Sequence, residues 1–302
     1  MSRNCNNYTE EELALGALFK QLRLAKGFSQ EEAAGTEVSP THISNFENGK
    51  TIIGLHHFIK ILQNINVNMF EFQNSLNQYL HEKDILLFNA ELTDAIVEQN
   101  ASKLKQILAK LKNQINVSPN SPSNKKIQLD YLRTKSALFF IDSSYSLTKK
   151  EIDFLENYLF HLKEWGQYDI ALLGQCAQFL NWANLMDLTN NIISPAQENI
   201  KIPYIRQAII QTVLNIINVF VNNHCYDYAK KLINYLESDD IHDYYMFEKL
   251  TLIYNKANYQ YHSGHKEAVD TMKKCQEVLE FCDCSKTANW IDSEIKSLDK
   301  DK

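Results

Sequence analysis

Apolar residues recur along this chain at helical spacing, in segments that stop at turn formers. Leu13, Ala17, Leu18, Leu22 and Ala25 make a stripe over 11–26, and Gly27 follows where helices close on a left-handed residue. Ser29, with Glu32 three positions on, reads as a capping box opening a short helix over 30–34. After a connection over 35–38, Ser39 caps a third helix with Pro40 at its first position, running to Asn48 and stopping at Gly49. Its Ile43 and Phe46 point inward, while Thr41, His42 and Asn45 project from the opposite face. A fourth helix over 55–65 carries Phe58, Ile59 and Leu62, and a fifth over 70–80 leads out of this segment. Beyond it the pattern predicts helices over 84–99, 101–113, 125–141, 149–163, 168–185, 204–223, 226–237, 244–262, 266–281 and 286–300. The breaks between them fall at "VSPNSPSNKK", "DSSYSLT", "IISPAQ", "ESDDIHD" and "HSGH".

The segment "IRQAIIQTVLNIINVFVNN" stands apart. Every polar residue after Arg206 is uncharged, and Gln207, Gln211, Asn215, Asn218 and Asn222 share one helix face. An Asn or Gln side chain both donates and accepts, so such a stripe can pair with the backbone of an extended peptide. It is also what a solvated or packing face would be in an Asn-rich chain, and both readings stay open. Several turns recur ahead of helices ("EWGQYDIALL", "NHCYDYAKKL", "HSGHKEAVDTM"). Ala229 and Ala268 lie 39 positions apart, close to the period of about 34 of tetratricopeptide repeats.

The expected fold is therefore all-α: a helix-turn-helix domain over 10–70, a linker helix over 71–83, and over 84–302 a tetratricopeptide-like superhelix of paired antiparallel helices. The first helix of each pair (125–141, 168–185, 204–223, 244–262) should line the concave wall. That puts Arg133, Asn181, Asn184, the amides Gln211, Asn215, Asn218 and Asn222, and Asn255 and Asn258 on the candidate binding face.

Composition narrows the functional classes. Eight Gly and five Pro in 302 residues are too few for a strand-and-hairpin fold. A net charge of −6 excludes non-specific nucleic-acid binding by the whole chain, though not a small DNA-reading module. Six Cys without framework spacing, behind an N-terminus with no apolar segment, indicate reduced thiols and a cytoplasmic protein. No run of about 18 apolar residues appears, so neither a transmembrane helix nor a membrane partner is expected. Cys275, Cys282 and Cys284 with His262 and His265 lack the spacing of a zinc knuckle, and no metal or cofactor is expected. His42, His56, His57, His224 and His242 are scattered as surface histidines are. "NGKT" at 48–51 lacks the glycine and the preceding strand of a phosphate loop, and no nucleophile elbow, zinc-protease or dinucleotide fingerprint occurs, so no catalytic residue is expected.

Two short helices joined by a tight turn, the second opening on small polar residues, make a helix-turn-helix. "LRLAKGFSQEEAAGTEVSPTHISNFENGK" resembles the phage-repressor-type family, with one residue fewer than usual between Ser29 and Ser39. The resemblance implies that Gln30 braces the recognition helix and meets a phosphate. It places Ser39, Thr41, His42 and Asn45 at the groove, and Asn48 and Lys50 at phosphates. It further implies a buried structural ion pair between Arg23 and Glu47. Permanent cations here are few (Arg3, Lys20, Arg23, Lys26, Lys50, Lys60), so operator binding should require a dimer.

The whole chain resembles the Rgg and PlcR type of pheromone-responsive regulators of Gram-positive bacteria. "DFLENYLFHLKEWGQYD" and the short connection favour Rgg. That resemblance implies a homodimer on a double-stranded DNA operator, gated by a short linear signalling peptide on the concave face. A second reading is a DNA-tethered scaffold whose repeat domain docks a folded protein.

Overall fold

The computed structural model describes residues 8–79, 91–92, 94–96, 98, 100–117, 124–194, 201–239 and 241–298. Among the described residues every regular element is helical. Most of the helix expected over 84–99, the turn at 118–123 and the cation Arg3 lie outside them. The chain divides into two compact units, residues 1–93 and 94–302.

The first unit holds α1 (Glu10–Ala25), α2 (Gln30–Ala34), α3 (Pro40–Glu47), α4 (Leu55–Asn64) and α5 (Met69–Tyr79). Thr9, Ser29 and Ser39 accept from the backbone N–H groups of Glu12, Glu32 and His42, which the helices cannot pair internally. Phe19, Phe46, Phe58 and Phe72 line up through the core with successive ring centroids 5.8, 5.9 and 4.9 Å apart. Phe72 belongs to α5, which packs on α1. The helix expected to act as a linker thus begins inside this unit, because its first turns bury an aromatic side chain; residues 80–83 of that expected linker lie outside the described residues.

A buried ion pair ties α1 to α3. Arg23 donates from Nε to Glu47 Oε1 at 2.6 Å and from Nη2 to Oε2 at 2.9 Å, while its Nη1 donates to Phe28 O at 2.7 Å. Gln30 on α2 adds a 2.8 Å bond from Nε2 to Glu47 Oε2. One carboxylate thereby holds three helices in register, and every partner is hydrogen-bonded, which is what makes a buried pair tolerable.

The second unit contains α6 (Ala101–Val117), α7 (Asn124–Phe139), α8 (Lys149–Phe160), α9 (Gln167–Cys176), α10 (Trp182–Ile192), α11 (Pro203–Asn222), α12 (Tyr226–Ser238), α13 (Met246–His262), α14 (Val269–Phe281) and α15 (Ser285–Leu298). Helices α7, α9, α11 and α13 pack side by side in that order, and α12, α14 and α15 pack between or beside them. Ala229 and Ala268 are both buried. Each successive pair in the row is joined by a side chain donating to a helix carbonyl. Ser136 Oγ reaches Gln175 O at 2.6 Å, Thr212 Oγ1 reaches Ile170 O at 3.0 Å, and Asn255 Nδ2 reaches Leu214 O at 2.8 Å. At the second joint the helices touch so closely that a Cβ on Gly174 would lie 2.9 Å from Thr212 Oγ1.

Two expectations change. The helix expected over 168–185 ends at Cys176, passes through a 3-10 turn at Ala177–Phe179, and restarts at Trp182. Asn181 is the reason: its side chain caps α10 by accepting from Ala183 N at 2.9 Å, so the chain turns there. Asn181 and Asn184 consequently leave the row of first helices. The second change concerns α11, which is long and apolar enough to cross a membrane by length and composition. Its amides interrupt the apolar run and hide this in the sequence. Here Ile209, Ile210, Val213, Ile216, Ile217 and Phe220 are buried against neighbouring helices, as in a core helix.

Glu47→Ala leaves the Arg23 guanidinium buried without its counter-ion and is expected to cost about 3–5 kcal/mol. Hydrogen exchange should show lost protection across α1 and α3 and none across α7–α15; unchanged protection in α1 would remove the clamp's structural role. Gly174→Val should destabilise by about 1–3 kcal/mol through overpacking. Urea titration should then show part of that loss recovered when Thr212→Ala is added.

Candidate functional site

The exposed start of α3 and the turn after it carry the candidate DNA-reading side chains. Ser39, Thr41, Asn48 and Lys50 are exposed, and His42 and Asn45 half-buried. Ile43, Phe46 and Glu47 anchor the opposite face of this eight-residue helix. Ser39 Oγ is used as the cap, and Asn48 Nδ2 is turned back to Ser44 O at 2.7 Å. The Gln30 amide is engaged by Glu47, so its bracing role has a visible partner. Residues 8–79 carry five Lys or Arg against eight Glu. Of these cations Arg23 is buried in the clamp and Lys26 donates to Asn66 O at 2.6 Å. Lys20 and Lys50 are exposed and Lys60 half-buried.

In the second unit the amide stripe of α11 divides into three. Gln207 and Gln211 both donate to Glu248 Oε1, at 2.9 and 2.8 Å. Glu248, on α13, is only 4% exposed. Asn215 and Asn218 line a pocket of about 240 Å³ between α11, α13, α14 and α15, together with Phe247, Leu250, Tyr254 and Trp290. Asn222 is exposed at the end of the helix.

The remaining candidates are placed differently. Arg133 is buried, donates from Nε to Gln175 Oε1 at 2.7 Å, and lies 3.7 Å from Asp130. Its guanidinium also sits 5.1 Å from the Tyr168 ring centre. Asn184 bonds Glu156 at 2.9 Å on the second helix of its pair. Asn255 is committed to the α11 backbone, and Asn258 is buried beside it in sequence on α13. The structure thus gathers Asn215, Asn218 and Asn255 at one pocket and leaves Arg133, Asn181 and Asn184 elsewhere.

A polar cluster around Arg133 has no signature in the sequence. Tyr168 donates to Asp130 at 2.9 Å and Tyr158 to Asp169 at 2.5 Å. Burial first, and then the neighbouring carboxylates, push both phenols well above the ordinary tyrosine range. Lys125, Lys126, Leu129 and Asp169 complete a shallow pocket with the two rings. Three consecutive helices, α7, α8 and α9, contribute these side chains at irregular intervals, so no spacing rule connects them. Burial pushes the Cys176 thiol up to about 12, which makes it inert. Cys282 and Cys284 are exposed, and among the described residues no three His, Cys, Asp or Glu side chains converge on a metal position.

Residues 19–72 match the helix-turn-helix family. Residues 108–292 match the C-terminal domain of the helix-turn-helix-type transcriptional regulator Rgg. The chain is similar to the SHP pheromone receptor Rgg2 of Streptococcus dysgalactiae at 21% identity and a TM-score of 0.71, covering 94% of this chain and 99% of that one. It is similar to a transcriptional regulator from Listeria monocytogenes EGD-e at 15% identity and a TM-score of 0.75, covering 95% and 98%. A PrgX/cCF10 complex follows at 15% identity and a TM-score of 0.62, covering 94% and 99%. At these identities the solved structures show a shared fold. The family match spans more than half of the sequence, and the chain belongs to the Rgg family of helix-turn-helix transcriptional regulators.

Proposed function

We propose that this regulator acts in the cytoplasm as a homodimer on a double-stranded DNA operator, and that a short linear signalling peptide bound along the α11–α13 row gates it. The observation that carries the peptide reading is the junction of Asn215 and Asn218 with an apolar pocket rimmed by the half-exposed Phe247. Amides that donate and accept suit a peptide backbone, and the pocket beside them suits one of its side chains. The similar protein named as an SHP pheromone receptor lends support through its shared fold.

Peptide selectivity comes from the pocket rather than from charge. Glu248 is an acidic group beside the stripe, and Gln207 and Gln211 already hold it. The dimer follows from electrostatics. Counterion release scales with the phosphates neutralised, and residues 8–79 have few cations to spend on them. Two recognition helices on one operator double that number.

Asn215→Ala is expected to weaken binding of an activating peptide about three- to tenfold, the loss of one net hydrogen bond. Operator affinity of the peptide-free protein should stay unchanged. Fluorescence polarisation with labelled peptide and labelled operator separates the two, and equal loss of both would count against the reading. A purified protein that no short peptide shifts would favour the folded-partner alternative.

On the DNA side, Asn45→Ala should cost about 1–3 kcal/mol on the best operator and relax preference at one base pair. Lys50→Ala should weaken all sequences alike and lower the salt slope by about one. Operator titrations at several salt concentrations test both, and indifference to both substitutions would displace α3 as the reading helix.

A further inference from the structure

We propose that the pocket between α11, α13, α14 and α15 is an anchor for a single aromatic side chain of the peptide that carries its own hydrogen-bonding group, as tyrosine and tryptophan do. This rests on the peptide reading above and specifies what the peptide must contain.

Size sets the first limit. At about 240 Å³ the pocket exceeds the roughly 150 Å³ that accommodates benzene in a protein core, and falls short of the 300–1,000 Å³ typical of whole small-molecule ligands. One aromatic side chain fits, and a longer segment does not. No Asp, Glu, Lys or Arg lines it, so the guest is neutral. Its wall already contains a tilted aromatic pair, Tyr254 and Trp290, with ring centres 5.7 Å apart at 57°. A third ring can pack edge-on against either. Trp290 and Phe247 are partly exposed at 39% and 51%, as rim residues of an entry must be.

Polarity sets the second limit. Among the described residues only four buried side-chain polar atoms lack a hydrogen-bond partner, and two of them, Asn218 Oδ1 and the Tyr254 hydroxyl, belong to residues that line this one pocket and lie just beneath its surface. Tyr254 is just 2% exposed. A desolvated polar atom without a partner costs about 1–3 kcal/mol, so a purely apolar guest would trap that penalty. Burial keeps the Tyr254 phenol protonated and therefore able to donate. With a small turn of these two side chains toward the guest, a phenol supplies a donor for Asn218 Oδ1 and an acceptor for Tyr254, and an indole N–H supplies the donor.

The test uses the full chain and defined probes: p-cresol, 3-methylindole and toluene, and the peptides acetyl-Ala-Ala-Tyr-Ala-Ala-amide and its all-alanine counterpart. Calorimetric or ligand-observed NMR titration should give p-cresol and 3-methylindole about tenfold tighter than toluene. Tyr254→Phe should narrow the preference for p-cresol, and Thr287→Trp, which fills the pocket from a half-buried wall position, should abolish binding of all three while the protein melts as before. Equal affinity for toluene and p-cresol, or probe binding that survives Thr287→Trp, overturns the anchor, while Asn215→Ala still tests the peptide reading separately. If p-cresol binds as expected but the tyrosine peptide binds no better than the all-alanine one, the aromatic site stands and its assignment to a peptide is overturned.

Discussion

Helix α11 can exist in water only if it is covered. It is 20 residues long, carries one fixed charge, and places ten side chains in the core. Burying a single Leu or Ile side chain is worth about 1.5–3 kcal/mol, so its neighbours are bound to it by a large apolar term. That requirement dictates the rest of the second unit. Helix α9 covers one flank, α13 the other, and α12 the back. Along the row of amides Gln207 and Gln211 find a partner in Glu248 of α13, and Asn215 and Asn222 stay exposed, because an amide cannot be driven into a dry interface without a partner. An uncharged polar strip beside a hydrophobic core is thus the residue of packing, and its chemistry is what a backbone-shaped ligand can use.

The N-terminal unit solves a different problem with few charges. A helix of eight residues such as α3 cannot hold its own shape and must be fixed from behind. Glu47 does this by presenting both carboxylate oxygens to α1 and α2 while Ile43 and Phe46 fill the core. Because the clamp consumes Arg23, the exposed cations of this unit are fewer still, which leaves little bulk attraction for phosphates. An acidic protein of this kind gains by avoiding random DNA, where charge alone decides residence.

Local chemistry was legible in the sequence and long-range pairing was not. Ser29, Glu32, Ser39 and Pro40 announce their helix starts within four residues, and the structure has helices beginning there. The row α7, α9, α11, α13 followed from alternation of turns and apolar stripes. The break at 177–181 was hidden because Leu180, Leu185 and Leu188 keep the apolar rhythm of a continuous helix. Asn215 and Asn255 look alike in the sequence, yet one faces the pocket freely and the other is spent on a carbonyl of the next helix. Only the partner distinguishes them, and partners about 40 residues away leave no local mark. The resemblance to a known family supplied the Arg23–Glu47 pairing, which periodicity alone does not contain.

The bonds that Gln207 and Gln211 donate to α13, and the one that Leu214 O accepts from it, have a mechanical meaning. Among the described residues these polar stitches run along α11 in sequence, and the last of them, Asn255 to Leu214, lines the pocket. The seam between the two helices therefore resembles a zipper fastened from one end, with the pocket at the slider. An object placed at the slider pulls on one stitch at a time, so even a small wedge meets the weakest resistance the seam can offer.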